Sequence, residues 1–263
     1  MKVKENKKYS ILDSLHAKTI MSENYHSHFV KTTGEYMRWG KTTEDNPLYS
    51  PYGPELADIE ISTICHRGCS HCYKSNTHEG DYMGYETFKR VIKKLPNTIM
   101  QVALGVGDID SNPDIEKILR LIKNMGYVPN ITINGDRIKD KQIEMLAKYC
   151  GSIAVSMYDK DTCYGVVKSL ISKGAKQVVV QSILSEETFD TCKEIIIDCS
   201  YDERLFGLNS LLFLWLKPVG KRNNYSQLSS INQLKEIVEL AMAKDISIGF
   251  DACSTPMVKQ VVD

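Results

Sequence analysis

Ala57-Asp58-Ile59-Glu60-Ile61-Ser62-Thr63-Ile64-Cys65-His66-Arg67-Gly68-Cys69-Ser70-His71-Cys72-Tyr73 is the stretch that decides the reading of this chain. Its first half alternates apolar and polar residues, the pattern of a strand with one buried face. Its second half crowds three cysteines into one loop at the spacing Cys-x3-Cys-x2-Cys. Iron–sulfur clusters are held by cysteine thiolates, and a cubane of four irons normally takes four protein ligands. Three ligands from one loop would leave one iron with an open position. The other chemistry open to this loop is zinc, with His66, His71 or His78 completing a Cys3His site. Structural zinc sites usually pair two knuckles, and no second Cys-x2-Cys occurs in the chain. The loop therefore fits a cluster better than zinc.

Outward from the loop, apolar strand-like runs alternate with amphipathic stretches of helical period. Strands are expected over Ala57–Thr63, Ile99–Gly105, Asn130–Asn134, Ser152–Met157, Gln177–Leu184 and Ser210–Lys217. Helices are expected over Tyr85–Lys94, Asp114–Met125, Lys139–Tyr149, Asp161–Lys173, Glu186–Cys199 and Ser230–Ala243. Val178-Val179-Val180 and Leu211-Leu212-Phe213-Leu214-Trp215-Leu216 are near-continuous apolar runs, as parallel strands covered on both faces show. Six βα units in series imply an α/β fold, a partial (β/α)6 barrel open on one side, with a doubly wound sheet as the alternative. An apparent seventh strand follows at Ile246–Phe250.

Three segments result: residues 1–56, an N-terminal arm and hairpin; 57–250, the barrel; and 251–263, a short tail. Residues 1–22 are polar without clear period and read as a loosely docked arm. Phe29-Val30-Lys31 and Glu35-Tyr36-Met37-Arg38-Trp39 flank a Gly34 turn and read as a hairpin covering the flank of the barrel.

Lysine plus arginine and aspartate plus glutamate number 33 each, so the formal net charge is zero. A general nucleic-acid or membrane-surface binder would carry a basic face instead. No run approaches the roughly 18 apolar residues of a membrane span, and no signal peptide is visible. Eight cysteines without a secretory signal point to a reducing, cytoplasmic compartment and, with the loop, to an oxygen-sensitive protein. Cys150, Cys163, Cys192 and Cys199 fall in or beside helices and read as core thiols.

The cysteine loop after the first strand resembles that of the radical S-adenosylmethionine (SAM) enzymes. The resemblance covers about residues 57–250. It implies that Cys65, Cys69 and Cys72 ligate one [4Fe–4S] cluster whose free iron is chelated by SAM. Electron transfer from a flavodoxin- or ferredoxin-like donor then cleaves SAM to a 5′-deoxyadenosyl radical, which takes a hydrogen atom from a substrate. His71 corresponds to the position that seats the adenine, with loop packing as the plainer reading. Ala103-Leu104-Gly105-Val106-Gly107-Asp108 ends the second strand where the family has its Gly-Gly-Glu motif. Glycine there admits a close backbone approach, and the Asp108 carboxylate suits an ammonium group, although it is one methylene shorter than the family's glutamate. Ser156, Gln181 and Lys217 stand at or near other strand ends and are the remaining SAM-contact candidates. Lys221 and Arg222 read as solvated.

The run around Cys253 resembles the entry to the auxiliary-cluster extension of SPASM-type members. No partner cysteines follow it, so Cys253 is expected to hold no second cluster. On that ending alone a peptide or protein side chain is the first substrate class, and a nucleotide or small metabolite the second. A zinc- or cluster-binding regulatory protein without SAM turnover is the alternative of another class.

Overall fold

The computed structural model describes residues 2–5, 8–45 and 47–262 and contains two sheets. The first is antiparallel, with strands β1 (Lys2–Glu5), β2 (Ser10–Asp13), β3 (Ala17–Met21), β4 (His26–Val30) and β5 (Tyr36–Trp39) in sequential order. The hairpin expected around Gly34 is β4 and β5. The described part of residues 1–22, expected to be a loose arm, is instead strand for most of its length. Its period was hidden because polar side chains share the inward face with Ile11, Ile20 and Phe29. Lys18 is 2% exposed and donates to the carbonyl of Ile99 at 2.7 Å. Ser27 is wholly buried and donates to Glu55 at 2.5 Å. Tyr25 and Tyr36 donate to the same carboxylate, at 3.0 and 2.5 Å.

The second sheet is parallel, with β6 (Leu56–Glu60), β7 (Gln101–Gly105), β8 (Val128–Ile133), β9 (Ser152–Ser156), β10 (Val178–Leu184), β11 (Ser210–Trp215) and β12 (Ile248–Phe250) in sequential order. Helices α1 (Tyr85–Ile92), α2 (Ile115–Asn124), α3 (Asp140–Tyr149), α4 (Lys160–Ser172), α5 (Phe189–Asp198) and α6 (Ile231–Ala243) make the six crossovers. α7 (Thr255–Val262) follows a 3-10 turn at Ala252–Ser254. The sheet curls into a half-barrel whose edge strands, β6 and β12, do not pair with each other. The expected six-unit partial barrel is therefore present, with the seventh strand as an added edge.

One side of each strand packs under the helices, where Val102, Leu104, Ile131, Ile153, Val155, Val180 and Phe213 are buried. Pairing register puts the alternate residues on the concave face: Glu60, Gly105 and Thr132 lie side by side, as do Ser156, Gln181 and Leu212.

The N-terminal sheet does not lie on the barrel's flank. Its core of Ile11, Ile20 and Phe29 closes over Met100, with Tyr52 and Val128 packed against it. Those contacts, and the Lys18 bond to Ile99, all fall where the parallel strands begin. The extension is thus a floor beneath the amino end of the barrel, opposite the end where loops of such sheets carry chemistry. Phe29 is wholly buried in that joint. Phe29→Ala is expected to cost about 3–5 kcal/mol of the main urea-unfolding transition; an unchanged midpoint would mean that the floor is not part of the cooperative unit.

Candidate functional site

The cysteine loop leaves the carboxyl end of β6 and runs to α1. Isolated bridges tie Ser62 to Tyr82 and Ile64 to Thr77, and the Cys65 amide donates to the Thr77 carbonyl at 2.8 Å. The end of β7 is stitched to the same segment: Gly107 N–H donates to Ser62 O at 3.1 Å and Asp108 N–H to Ile64 O at 2.8 Å. A Cβ on Gly107 would lie 2.0 Å from the Ile64 carbonyl oxygen and 2.8 Å from the Cys65 Cβ. Only glycine permits that approach.

Cys65, Cys69 and Cys72 are all partly exposed and unbridged. Gly68 takes φ 67°, which turns the backbone of Arg67 and Gly68 toward the Cys65 side chain. Burial pushes the thiols of Cys65 and Cys69 up, against the pull of that backbone and of the Tyr158 hydroxyl, respectively. Burial, and then the neighbouring Cys69, also push the Tyr158 phenol up and keep it a donor. A metal binding here displaces thiol protons.

Charged groups brace the loop from the neighbouring strand ends. Arg67 reaches across to Asp136, beyond β8, with contacts of 2.5 and 2.6 Å, and its guanidinium stands 4.1 Å over the Tyr158 ring. Asp108 accepts from the His66 amide at 3.1 Å, His66 Nδ1 at 2.6 Å, Asn134 at 2.9 Å and Arg137 at 2.9 Å. Burial opposes its ionisation, but the His66 and Asn134 hydrogen bonds, with Arg137, outweigh burial and hold its pKa below the ordinary value. This carboxylate, expected to suit an incoming ammonium group, already has protein donors on both oxygens.

A second layer comes from the segment after β11. A Cβ on Gly220 would lie 2.4 Å from the Cys72 carbonyl oxygen. Lys221 N–H donates to Ser75 Oγ at 2.8 Å and the Arg222 guanidinium to Asn76 O at 2.7 Å. Arg222, read as solvated, is exposed yet docked. His71 lies between Tyr158 and Tyr225, with ring centroids 5.9 and 4.9 Å away. Its Nδ1 is buried without a hydrogen-bond partner. Burial, and then Arg67, lower its pKa and favour the neutral ring.

The remaining expected residues share this end of the sheet. Ser156 and Gln181 are direct neighbours across β9 and β10, and Gly105 faces Glu60 and Thr132. Lys217 Nζ lies 3.7 Å from Asp251 and 5.1 Å from the Tyr73 ring centre. Sequence reading missed Glu60, which holds Lys74 at 2.7 Å, and also Asn134, Asp136, Arg137, Tyr158 and Tyr225. The polar run Asn134-Gly135-Asp136-Arg137 directly after a strand was the available signal.

The donor set fits a thiolate-held cluster with an adjacent organic ligand. Three partly exposed thiols share one loop, and a buried imidazole nitrogen without a hydrogen-bond partner lies on the same loop. Among the described residues, no three His, Cys, Asp or Glu side chains converge as a single-ion site would need. A cubane takes each thiolate on a different iron and needs no such convergence. Cys150, Cys163 and Cys192 are buried and Cys199 is partly buried, while Cys253 is exposed on the 3-10 turn.

A parallel half-barrel with this loop at its mouth defines the class, and known proteins share parts of it. Residues 59–159 match the family model described as the Radical SAM superfamily. Over 95 residues the chain is 28% identical to a tungsten-containing aldehyde ferredoxin oxidoreductase cofactor-modifying protein of Pyrococcus furiosus. That stretch covers 34% of this chain and 26% of the relative, so the match spans about a quarter of that protein. The fold is similar to Streptococcus suis SuiB bound to its precursor peptide SuiA, with TM-score 0.72 and 12% identity over 95% of this chain and 75% of that one. SuiB bound to S-adenosylmethionine gives TM-score 0.66 at 12% identity, covering 94% and 72%. A radical SAM methyltransferase of Sphaerobacter thermophilus gives 0.58 at 13% identity, covering 89% and 73%. At such identities the solved structures speak to the fold. Residues 59–159 are similar to the Radical SAM superfamily in sequence, and the half-barrel as a whole is similar to the solved radical SAM structures in fold. The family match ends at residue 159 and does not reach the SPASM-like run around Cys253.

Gly107→Ala is expected to push the cysteine loop off the β7 end and to lower iron uptake severalfold on anaerobic reconstitution. Iron analysis beside a circular dichroism spectrum unchanged from the parent checks it.

Proposed function

We propose that this chain is a radical SAM enzyme holding one [4Fe–4S] cluster through Cys65, Cys69 and Cys72, with SAM beside it at the barrel mouth. The observation that carries the reading is the three-cysteine loop fastened to the carboxyl ends of β6 and β7 inside the matched family region. When bound, cluster and SAM supply one-electron cleavage of the sulfonium and, from it, hydrogen-atom abstraction from a substrate. The protein's own part is placement and exclusion of water. The cysteines hold the cluster, and the Arg67 and Gly68 amides and the Tyr158 hydroxyl stabilise sulfur charge. His71, in its slot between Tyr158 and Tyr225, presents a free nitrogen to the adenine. Gly105, beside Glu60 and Thr132, admits the amino-acid end of SAM close to the backbone, and Gly107 holds the cysteine loop against the end of β7. Ser156 and Gln181 offer paired hydrogen-bonding groups to ribose or substrate, and Lys217 closes the opposite side. Asp108 enters this site as a support.

A peptide or protein side chain is the favoured substrate class. Support comes from the fold shared with SuiB, a protein captured with a precursor peptide. The electron is assigned to a flavodoxin- or ferredoxin-like donor, and the protein to the reducing cytoplasm, where its eight unbridged cysteines stay reduced. Among the described residues no helix is long and apolar enough to cross a membrane.

Anaerobically reconstituted protein is expected to be brown, to hold about four irons per chain, and to convert SAM to methionine and 5′-deoxyadenosine when reduced with dithionite. Replacing Cys65, Cys69 and Cys72 together by alanine should abolish both the iron and the cleavage. A full iron complement in the triple variant would refute the assignment, and a colourless zinc-loaded parent would favour the regulatory alternative.

A further inference from the structure

Asp108 is a carboxylate with only 3% of its side chain exposed. A charge that deeply placed persists only with strong donors around it. Three of its partners come from two segments that lie far apart in sequence: His66 from the cysteine loop, and Asn134 and Arg137 from the turn after β8. Oδ2 alone receives the His66 amide, His66 Nδ1 and Arg137. That fills the lone pairs a carboxylate oxygen offers. Oδ1 takes Asn134. An ammonium group arriving here would find Oδ2 occupied and only the second lone pair of Oδ1 open, on a side chain that is 3% exposed.

Arg137 adds an independent observation. It sits at φ 52°, in the left-handed region, which costs a residue with a side chain about 1–2 kcal/mol. Its side chain is 56% exposed, yet its guanidinium turns inward to Asp108 at 2.9 Å. Backbone strain of this kind persists where the surroundings over-determine it, commonly at a ligand clamp.

We propose that Asp108 is a positioning residue. With Arg137 and Asn134 it clamps the first turn of the cysteine loop against the ends of β7 and β8, and it does not itself bind the ammonium of SAM. This inference rests on the cluster-and-SAM reading above. The clamp fixes His66, and with it the adjacent Cys65, whose sulfur must meet one particular iron. Its charges cancel, so it places no net charge beside the cluster. Removing the carboxylate strands the buried Asn134 amide, the costly way to break such a network, and frees the exposed side chains of His66 and Arg137.

The test uses Asp108→Asn, Asp108→Ala and Arg137→Ala in the full chain. Hydrogen exchange is measured first on metal-free protein. Each variant should speed exchange of the amides of residues 64–69 by about tenfold or more, the loss expected for a charge-assisted hydrogen bond, while α2 and α4 keep the parent's protection. After reconstitution, each should retain less iron and show an altered EPR spectrum of the reduced cluster, with SAM binding per cluster unchanged. Parent-like loop exchange and iron in Asp108→Asn, with SAM binding lost, would overturn the clamp and make Asp108 the ammonium partner. Arg137→Ala separates the two readings even if Asp108→Ala fails to fold. A clamp loosens without Arg137, whereas an ammonium ligand would be freed and would bind SAM as well or better. If the parent itself takes up no iron, the cluster reading falls, and the exchange measurement still decides the clamp.

Discussion

A loop carrying three thiols has no apolar core of its own, so its shape must be imposed from outside. Here that rests on one close backbone approach. Gly107 and Asp108 donate main-chain hydrogen bonds to Ser62 and Ile64, at a separation that leaves no room for a side chain on Gly107. Buried main-chain groups must be paired, and this pairing extends the sheet past the formal ends of β6 and β7. Arg67 across to Asp136 and Gly220 against Cys72 then tie the loop at two further points. The cysteines are presented on a scaffold that reaches from the first edge of the barrel to the segment after β11.

The two ends of the barrel do different work. At the amino end, the five-stranded sheet seals the strands with Ile11, Ile20 and Phe29 over Met100, and Glu55 gathers the hydroxyls of Tyr25, Ser27 and Tyr36. At the carboxyl end the polar groups are only partly spent. His71 Nδ1 and Asp251 Oδ2 are buried without hydrogen-bond partners, Asp251 having only Lys217 at 3.7 Å, and Ser156 and Gln181 face the concave side. Unsatisfied buried polar atoms are rare in folded proteins, and both of these lie at the mouth. A stable floor and an unfinished mouth are the division of labour expected where the loops at one end of a parallel barrel bind ligand.

Much of this was legible in the chain. The six strands and six helices were visible because parallel strands buried on one face and facing a lumen on the other keep their apolar runs, as in Val178–Leu184, and the crossover helices keep a helical stripe. The N-terminal sheet was hidden because its buried face includes Lys18 and Ser27, whose partners, Ile99 and Glu55, lie far along the chain. Composition shows a lysine as a surface residue; only its distant acceptor explains its burial.

The site divides in the same way. The three cysteines, their spacing and the strand before them are local features, and the sequence by itself determined that three thiols crowd one loop at the start of an α/β barrel. The role of Asp108 is not local. Read alone, a glycine and an acid at a strand end describe a free carboxylate waiting for a cation. Folding brings Arg137 and Asn134 to it from the next strand end, and His66 from the loop, so that both of its oxygens meet protein donors. Tyr158 and Tyr225 likewise reach His71 from segments 87 and 154 residues away (158 minus 71 and 225 minus 71). Motif spacing is written in the chain because one short loop carries all three thiols; the partners of a buried charge are decided only when distant strand ends become neighbours.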